Sequence, residues 1–129
     1  MKRILVVEDD NSLSVLLRLI MKVQQEDWDV SSAATGVEAL SQVEKFKPDL
    51  ILLDIMMPEM DGLEVAHRLH NDERYKDQKI VILSALNDPE TRRKAAEAGV
   101  LEYWTKPISP DELRDGMLRL LGADVDELL

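Results

Sequence analysis

Three short aliphatic runs punctuate the chain: Ile4-Leu5-Val6-Val7, Leu50-Ile51-Leu52-Leu53 and Ile80-Val81-Ile82-Leu83. Each is continuous rather than alternating, the pattern of a strand covered on both faces. Val30 to Ala34 and Val100 to Thr105 are weaker strand candidates. Between the runs, apolar residues recur at helical spacing. Leu13, Leu16, Leu17, Ile20 and Met21 form one stripe. Ala39, Leu40, Val43 and Phe46 form a second, and Leu63, Ala66 and Leu69 a third. Ala95, Ala96 and Ala98 suggest a fourth helix, opened by Asn87-Asp88-Pro89-Glu90 as cap and first turn. Leu113, Met117, Leu120 and Leu121 suggest a fifth, opened by Ser109-Pro110 with Glu112 in the capping-box position. The stripes are expected to be core.

Strand then helix, five times over, predicts a parallel sheet joined by right-handed crossovers with helices on both faces. The 129 residues suit one such unit. No internal repeat, linker or low-complexity segment is visible. The expected domain spans residues 1–122, followed by a tail, Ala123 to Leu129, that continues the last helix or frays.

Composition narrows the function. There are no cysteines, which excludes disulfides and thiolate zinc sites. A net charge of −10 repels phosphate backbones, so no direct nucleic-acid partner is expected. Met1-Lys2-Arg3 runs straight into an apolar strand without the longer apolar stretch of a signal peptide, and no run is long enough to cross a bilayer. The expectation is a cytoplasmic protein with no membrane partner.

Ligands of open α/β sheets bind beyond the carboxyl ends of the strands. Glu8, Asp9 and Asp10 follow the first run, Asp54 the third strand, Ser84 the fourth and Lys106 the fifth. If the first strand neighbours the third, Glu8, Asp9 and Asp54 meet. Clustered carboxylates repel one another unless a cation relieves them. A hard divalent ion with oxygen ligands does so. Mg²⁺ fits best, because it binds through one or two carboxylates and keeps waters that a phosphate displaces, and Mn²⁺ should substitute. Helix capping accounts for Asp10, but not for Asp54 after four aliphatic residues. Lys106 offers a second positive charge for a phosphoryl group, and the Ser84 hydroxyl a hydrogen bond to one of its oxygens.

With these motifs in order, the chain resembles the receiver domains of two-component response regulators, chemotaxis regulators included, over roughly residues 2–122. The resemblance rests on Ile4-Leu5-Val6-Val7-Glu8-Asp9-Asp10, on Leu52 to Gly62, on Leu83-Ser84-Ala85 and on Tyr103-Trp104-Thr105-Lys106-Pro107. It implies a doubly wound (βα)5 flavodoxin-like fold with strand order 2-1-3-4-5. It implies that Asp54 accepts a phosphoryl group from a phosphohistidine on a histidine kinase or histidine phosphotransfer domain. It implies Mg²⁺ held by Asp9, Asp54 and the main-chain carbonyl of Met56, with Glu8 acting through water. It implies that Lys106 pairs with Asp54 and then with the phosphoryl oxygens. Ser84 takes the place of the switch hydroxyl, Tyr103 that of the switch aromatic, and the Lys106-Pro107 bond should be cis. Tyr103 is expected to turn into space that Ser84 vacates, and the fourth helix, fifth strand and fifth helix would present the result to an output domain or protein. Such a domain modifies itself and is not an enzyme turning over a free substrate.

Some positions depart from the DNA-binding members. Leu101-Glu102 replaces the acidic pair often found before the switch aromatic, and Gly116 stands where a basic residue is usual. Met56 and Leu86, each two residues past Asp54 and Ser84, are apolar and cannot orient an attacking water, which implies slow self-dephosphorylation. The chain is expected to be a stand-alone regulator or part of a longer protein. His67 and His70 share a helix face and are expected to be solvated. Three rival readings fit less well. A haloacid-dehalogenase-type phosphatase needs a second acid where Met56 stands. A degenerate scaffold would lack the aspartate, the acidic pair or the lysine. A flavin or nucleotide binder needs a glycine-rich loop where acids follow the first strand.

Overall fold

Five parallel strands alternate with five helices in the computed structural model, which describes residues 2–24 and 28–122. In chain order they are β1 (Arg3–Val7), α1 (Asn11–Gln24), β2 (Asp29–Ala33), α2 (Gly36–Phe46), β3 (Leu50–Leu53), α3 (Gly62–His70), β4 (Lys79–Ser84), α4 (Pro89–Glu97), β5 (Glu102–Thr105) and α5 (Pro110–Leu121). The strands lie in the order β2-β1-β3-β4-β5. All neighbours are parallel, with Val7 beside Leu53 and Ser84 beside Thr105. The expected strand order is thus observed. The weaker β2 and β5 candidates are real strands, each shifted or trimmed by one or two residues. The expected tail, Ala123 to Leu129, lies outside the described residues.

Continuous aliphatic runs are explained by two separate cores. Leu5, Val7, Ile51, Leu53, Ile80 and Ile82 point to one face, where Ala39, Val43, Val65, Ala66, Leu69, Ala95 and Ala98 of or beside α2, α3 and α4 cover them. Ile4, Val6, Leu50, Leu52, Val81 and Leu83 point to the other, under Leu17 and Met21 of α1 and Leu113, Met117 and Leu121 of α5. Successive side chains of a strand alternate between faces, so a run of four large aliphatics serves both.

The helix starts match the sequence. Asp88 caps α4, accepting from the Thr91 N–H at 3.0 Å, with Pro89 at its first turn. Ser109 and Glu112 form the reciprocal capping box of α5. Asp10 accepts from the Leu13 N–H at 3.1 Å and so caps α1.

Three expectations fail. Leu16 is 53 % exposed, and Ser14 takes the buried place beside Leu17 and Met21. At 100° per residue, positions 14, 17 and 21 lie within one narrow arc, whereas Leu16 lies well outside it. Val15, Leu19 and Val23 are exposed with it. Ala96 of α4 is likewise exposed rather than core. His70 is not solvated like His67: it is partly buried, its Nδ1 2.6 Å from the Ala98 carbonyl and its Nε2 2.9 Å from that of Gln78.

Two truncations on urea denaturation distinguish the observed α1 and α5 faces. Leu113→Ala, at a fully buried position, should cost about 2–5 kcal/mol. Leu16→Ala should stay within about 0.5 kcal/mol of wild type. A loss at Leu16 as large as that at Leu113 would contradict the observed face.

Candidate functional site

Backbone pairing continues one step past the strands and so gathers the polar residues. The Glu8 N–H donates to the Ala33 carbonyl at 3.0 Å, the Asp54 N–H to Val7 at 3.0 Å and the Lys106 N–H to Ser84 at 2.9 Å. The ends of β1, β3 and β5 are thereby held along one edge of the sheet.

Glu8, Asp9 and Asp54 each offer a carboxylate oxygen, and these atoms lie within 4.8 Å of one another. Glu8 and Asp54 are buried and Asp9 is exposed. The Lys106 Nζ lies 2.6 Å from Glu8 Oε1 and 3.0 Å from Asp54 Oδ2. The expected Lys106–Asp54 pair is present. The still closer contact to Glu8 was not foreseen, because nothing local in the sequence says which acid faces the lysine. Burial pushes the Glu8 carboxyl above its usual range, and the nearby Asp54 charge adds to the rise; the bonds from Lys106 and from the Asp10 N–H oppose it. Burial also works against the Lys106 ammonium, but its bonds to Glu8 and Asp54 outweigh burial and raise its pKa. One ammonium therefore faces three carboxylates. Oxygen donors alone, close-set and in charge excess, fit a hard divalent cation.

The loop between β3 and α3 is folded tightly against the site. Gly62 starts α3, and its N–H donates to the Ile55 carbonyl at 3.0 Å. A Cβ at this position would stand 2.2 Å from the Asp54 backbone oxygen, so only glycine permits the approach. The Met56 N–H donates to Asp54 Oδ1 at 3.2 Å, which places the Met56 backbone beside the cluster while its side chain is largely exposed. The Lys106-Pro107 bond is cis, as expected.

Ser84 is fully buried, and its Oγ accepts from the Leu86 N–H at 3.3 Å. Tyr103 packs with Leu86 against the α2–α4 core, its hydroxyl donating to the Leu86 carbonyl at 2.5 Å. Burial raises the Tyr103 phenol pKa. The next residue, Trp104, packs on the opposite core and lies over Gly116. A Cβ at 116 would approach the indole Cζ2 to 2.5 Å, so glycine at this position of α5 makes room for the ring.

The sequence reading missed further contacts at this end. Arg119 pairs with Glu102 and, with the Trp104 N–H, lowers the Glu102 pKa to about 2. Arg92 of α4 covers the Tyr103 ring. Both partners are far apart in the chain and brought together only by β5, so no local pattern announces them.

Among the described residues no helix is long and apolar enough to cross a membrane. The family profile for the response regulator receiver domain matches residues 4–117. The chain is 34% identical over 113 residues to the DNA-binding dual master transcriptional regulator RpaA of Synechocystis, covering 88% of this chain and 46% of RpaA. It is 32% identical over 120 residues to sporulation initiation phosphotransferase F of Bacillus subtilis, covering 93% of this chain and 94% of that protein. It spans less than half the length of several other curated relatives that it matches. The chemotaxis protein CheY4 of Vibrio cholerae superposes with a TM-score of 0.84 at 28% identity, over 93% of this chain and 98% of that one. The chain belongs to the response regulator receiver domains of two-component systems.

Proposed function

We propose that this receiver domain accepts a phosphoryl group on Asp54 and answers by rearranging the α4-β5-α5 face. One observation carries the reading: Glu8, Asp9 and Asp54 each offer a carboxylate oxygen within 4.8 Å of the others, and Lys106 bridges Glu8 and Asp54. Asp54 Oδ attacks phosphorus in line, the P–N bond of the donor phosphohistidine breaks, and the imidazole departs with the electron pair. The donor is a histidine kinase or a histidine phosphotransfer domain. Asp9, Asp54 and the Met56 carbonyl would hold Mg²⁺, or Mn²⁺ in its place, with Glu8 acting through a bound water. When bound, the ion supplies charge neutralisation and orientation of the phosphoryl oxygens. Lys106 is placed to transfer its ammonium from the Asp54 carboxylate to those oxygens. The remaining acceleration is positioning, since the chain's groups are already aimed where charge develops.

The receiver unit occupies residues 1–122. Its output is read by a further domain or protein on the face formed by α4, β5 and α5, with Ser84 and Tyr103 as the switch pair. Ser84 Oγ moves from the Leu86 N–H to a phosphoryl oxygen, and the docked position of Tyr103 is favoured. This is a shift between two populated packings. Direct nucleic-acid or membrane contact forms no part of the reading, nor does turnover of a free substrate; the location is cytoplasmic.

Acetyl phosphate with Mg²⁺ should produce a labile adduct of one phosphoryl group per chain, detected by intact-mass spectrometry. Asp54→Asn and chelation of the metal should each abolish it, and Asp9→Ala should raise the Mg²⁺ concentration required. A persistent adduct in Asp54→Asn sinks the proposal.

Met56 and Leu86 set the lifetime of that adduct, because neither can orient water. Met56→Asn or Leu86→Glu should speed its decay by about tenfold, a small part of what a placed general base contributes. Unchanged decay in both variants would show that these side chains merely pack at the rim.

A further inference from the structure

α4 carries consecutive cationic side chains, Arg92, Arg93 and Lys94. Two of them pair with carboxylates on their own helix: Arg93 with Glu97 at 2.6 Å, and Lys94 with Glu90 at 3.6 Å. Arg92 makes no salt bridge among the described residues. Asp88, four residues earlier, is engaged with Thr91, and position 96 is an alanine. Its guanidinium instead spans the gap to β5. The Arg92 Nε donates to Asn87 Oδ1 at 2.6 Å, and one terminal nitrogen donates to Thr105 Oγ1 at 3.1 Å. The same group lies over the Tyr103 ring, 4.5 Å from its centroid. The inner edge of that ring is held by the bond from its hydroxyl to the Leu86 carbonyl.

We infer that Arg92 is a positioning residue that clamps the Tyr103 ring in its docked place and so sets how readily Asp54 is engaged. Three contacts converge on one planar group: an amide in the β4–α4 loop, a hydroxyl at the end of β5, and an aromatic face between them. A guanidinium satisfies all three because its donors are fixed in one plane while its central carbon lies 4.5 Å over the ring centroid. Lysine would retain the cation but not the fork. With the clamp present, the ring has less freedom to swing into solvent, and the loop carrying Leu86 stays fastened to β5. Any ligand of Asp54 that requires the docked ring then binds in proportion to the docked fraction. The link to Asp54 rests on the proposed function; the clamp itself does not.

The experiment uses the whole 129-residue chain as wild type, Arg92→Ala, Arg92→Lys and, as a helix-surface control, Arg93→Ala. Nitration by tetranitromethane, mapped by mass spectrometry, reads the exposure of Tyr103 without metal or phosphodonor. Tyr75, whose ring lies under Arg74, serves as the internal reference. Arg92→Ala should raise Tyr103 nitration several-fold relative to Tyr75, Arg92→Lys should fall between, and Arg93→Ala should match wild type. Fluoroberyllate with Mg²⁺, a phosphoryl mimic, should then bind Arg92→Ala about three- to five-fold more weakly. Unchanged nitration in Arg92→Ala overturns the clamp. Raised nitration with unchanged fluoroberyllate affinity overturns its coupling to Asp54. If Asp54→Asn still bound fluoroberyllate, the phospho-acceptor reading would fail while the nitration result continued to judge the clamp.

Discussion

The structure turns on one ammonium group among carboxylates. Buried acids at the end of a parallel sheet repel one another, and without a cation one of them would hold a proton. Lys106 removes part of that repulsion, reaching Glu8 98 positions away in sequence and Asp54 52 positions away. Those spans make the site a product of the complete sheet. β1 and β3 supply the acids, but the lysine reaches them only once β4 has paired with β3 and β5 with β4. The remaining negative excess is what would fit the cluster to a metal ion. A fully neutralised cluster would have none, and an uncompensated one would destabilise the fold around it.

Strand alternation explains which residues can meet there. β1 and β3 direct even-numbered positions toward the α1/α5 core, and Glu8 and Asp54 follow in that phase. β5 directs Trp104 to the same side, with Lys106 two residues on. Ser84 and Tyr103 fall in the opposite phase, on the side of α3 and α4, where Tyr103 packs. The charged cluster and the hydroxyl–aromatic pair thus occupy adjoining quarters of one sheet edge. Gly62 completes the arrangement by letting α3 begin against the Asp54 backbone.

Much of this was legible in the sequence because its determinants are local. Aliphatic runs, capping residues and the position of an acid after a strand are each read within a few residues, and they gave the strand-helix alternation, the helix starts and Glu8, Asp9, Asp54 and Lys106 as strand-end candidates, whereas the strand order came from the resemblance to receiver domains. What escaped depended on distant partners or on rotation about a helix axis. Leu16 looked apolar enough for the core, yet the arc through Ser14, Leu17 and Met21 excludes it. His70 looked like a surface residue, yet two carbonyls from distant turns meet its ring. Gly116 read only as a missing charge; its meaning is the indole that rests on it.

That indole gives β5 two unequal sides. Behind the strand, Trp104 is wedged against the α5 backbone with no room for even a methyl group at position 116. In front, Tyr103 rests partly buried against the core beside Leu86, held by one hydroxyl bond and an exposed arginine. The strand therefore works like a hinge leaf screwed down along its rear edge. A ring could swing on the front without lifting the backbone that bears it, so a rearrangement of this face would be written in side-chain relief rather than in displaced sheet.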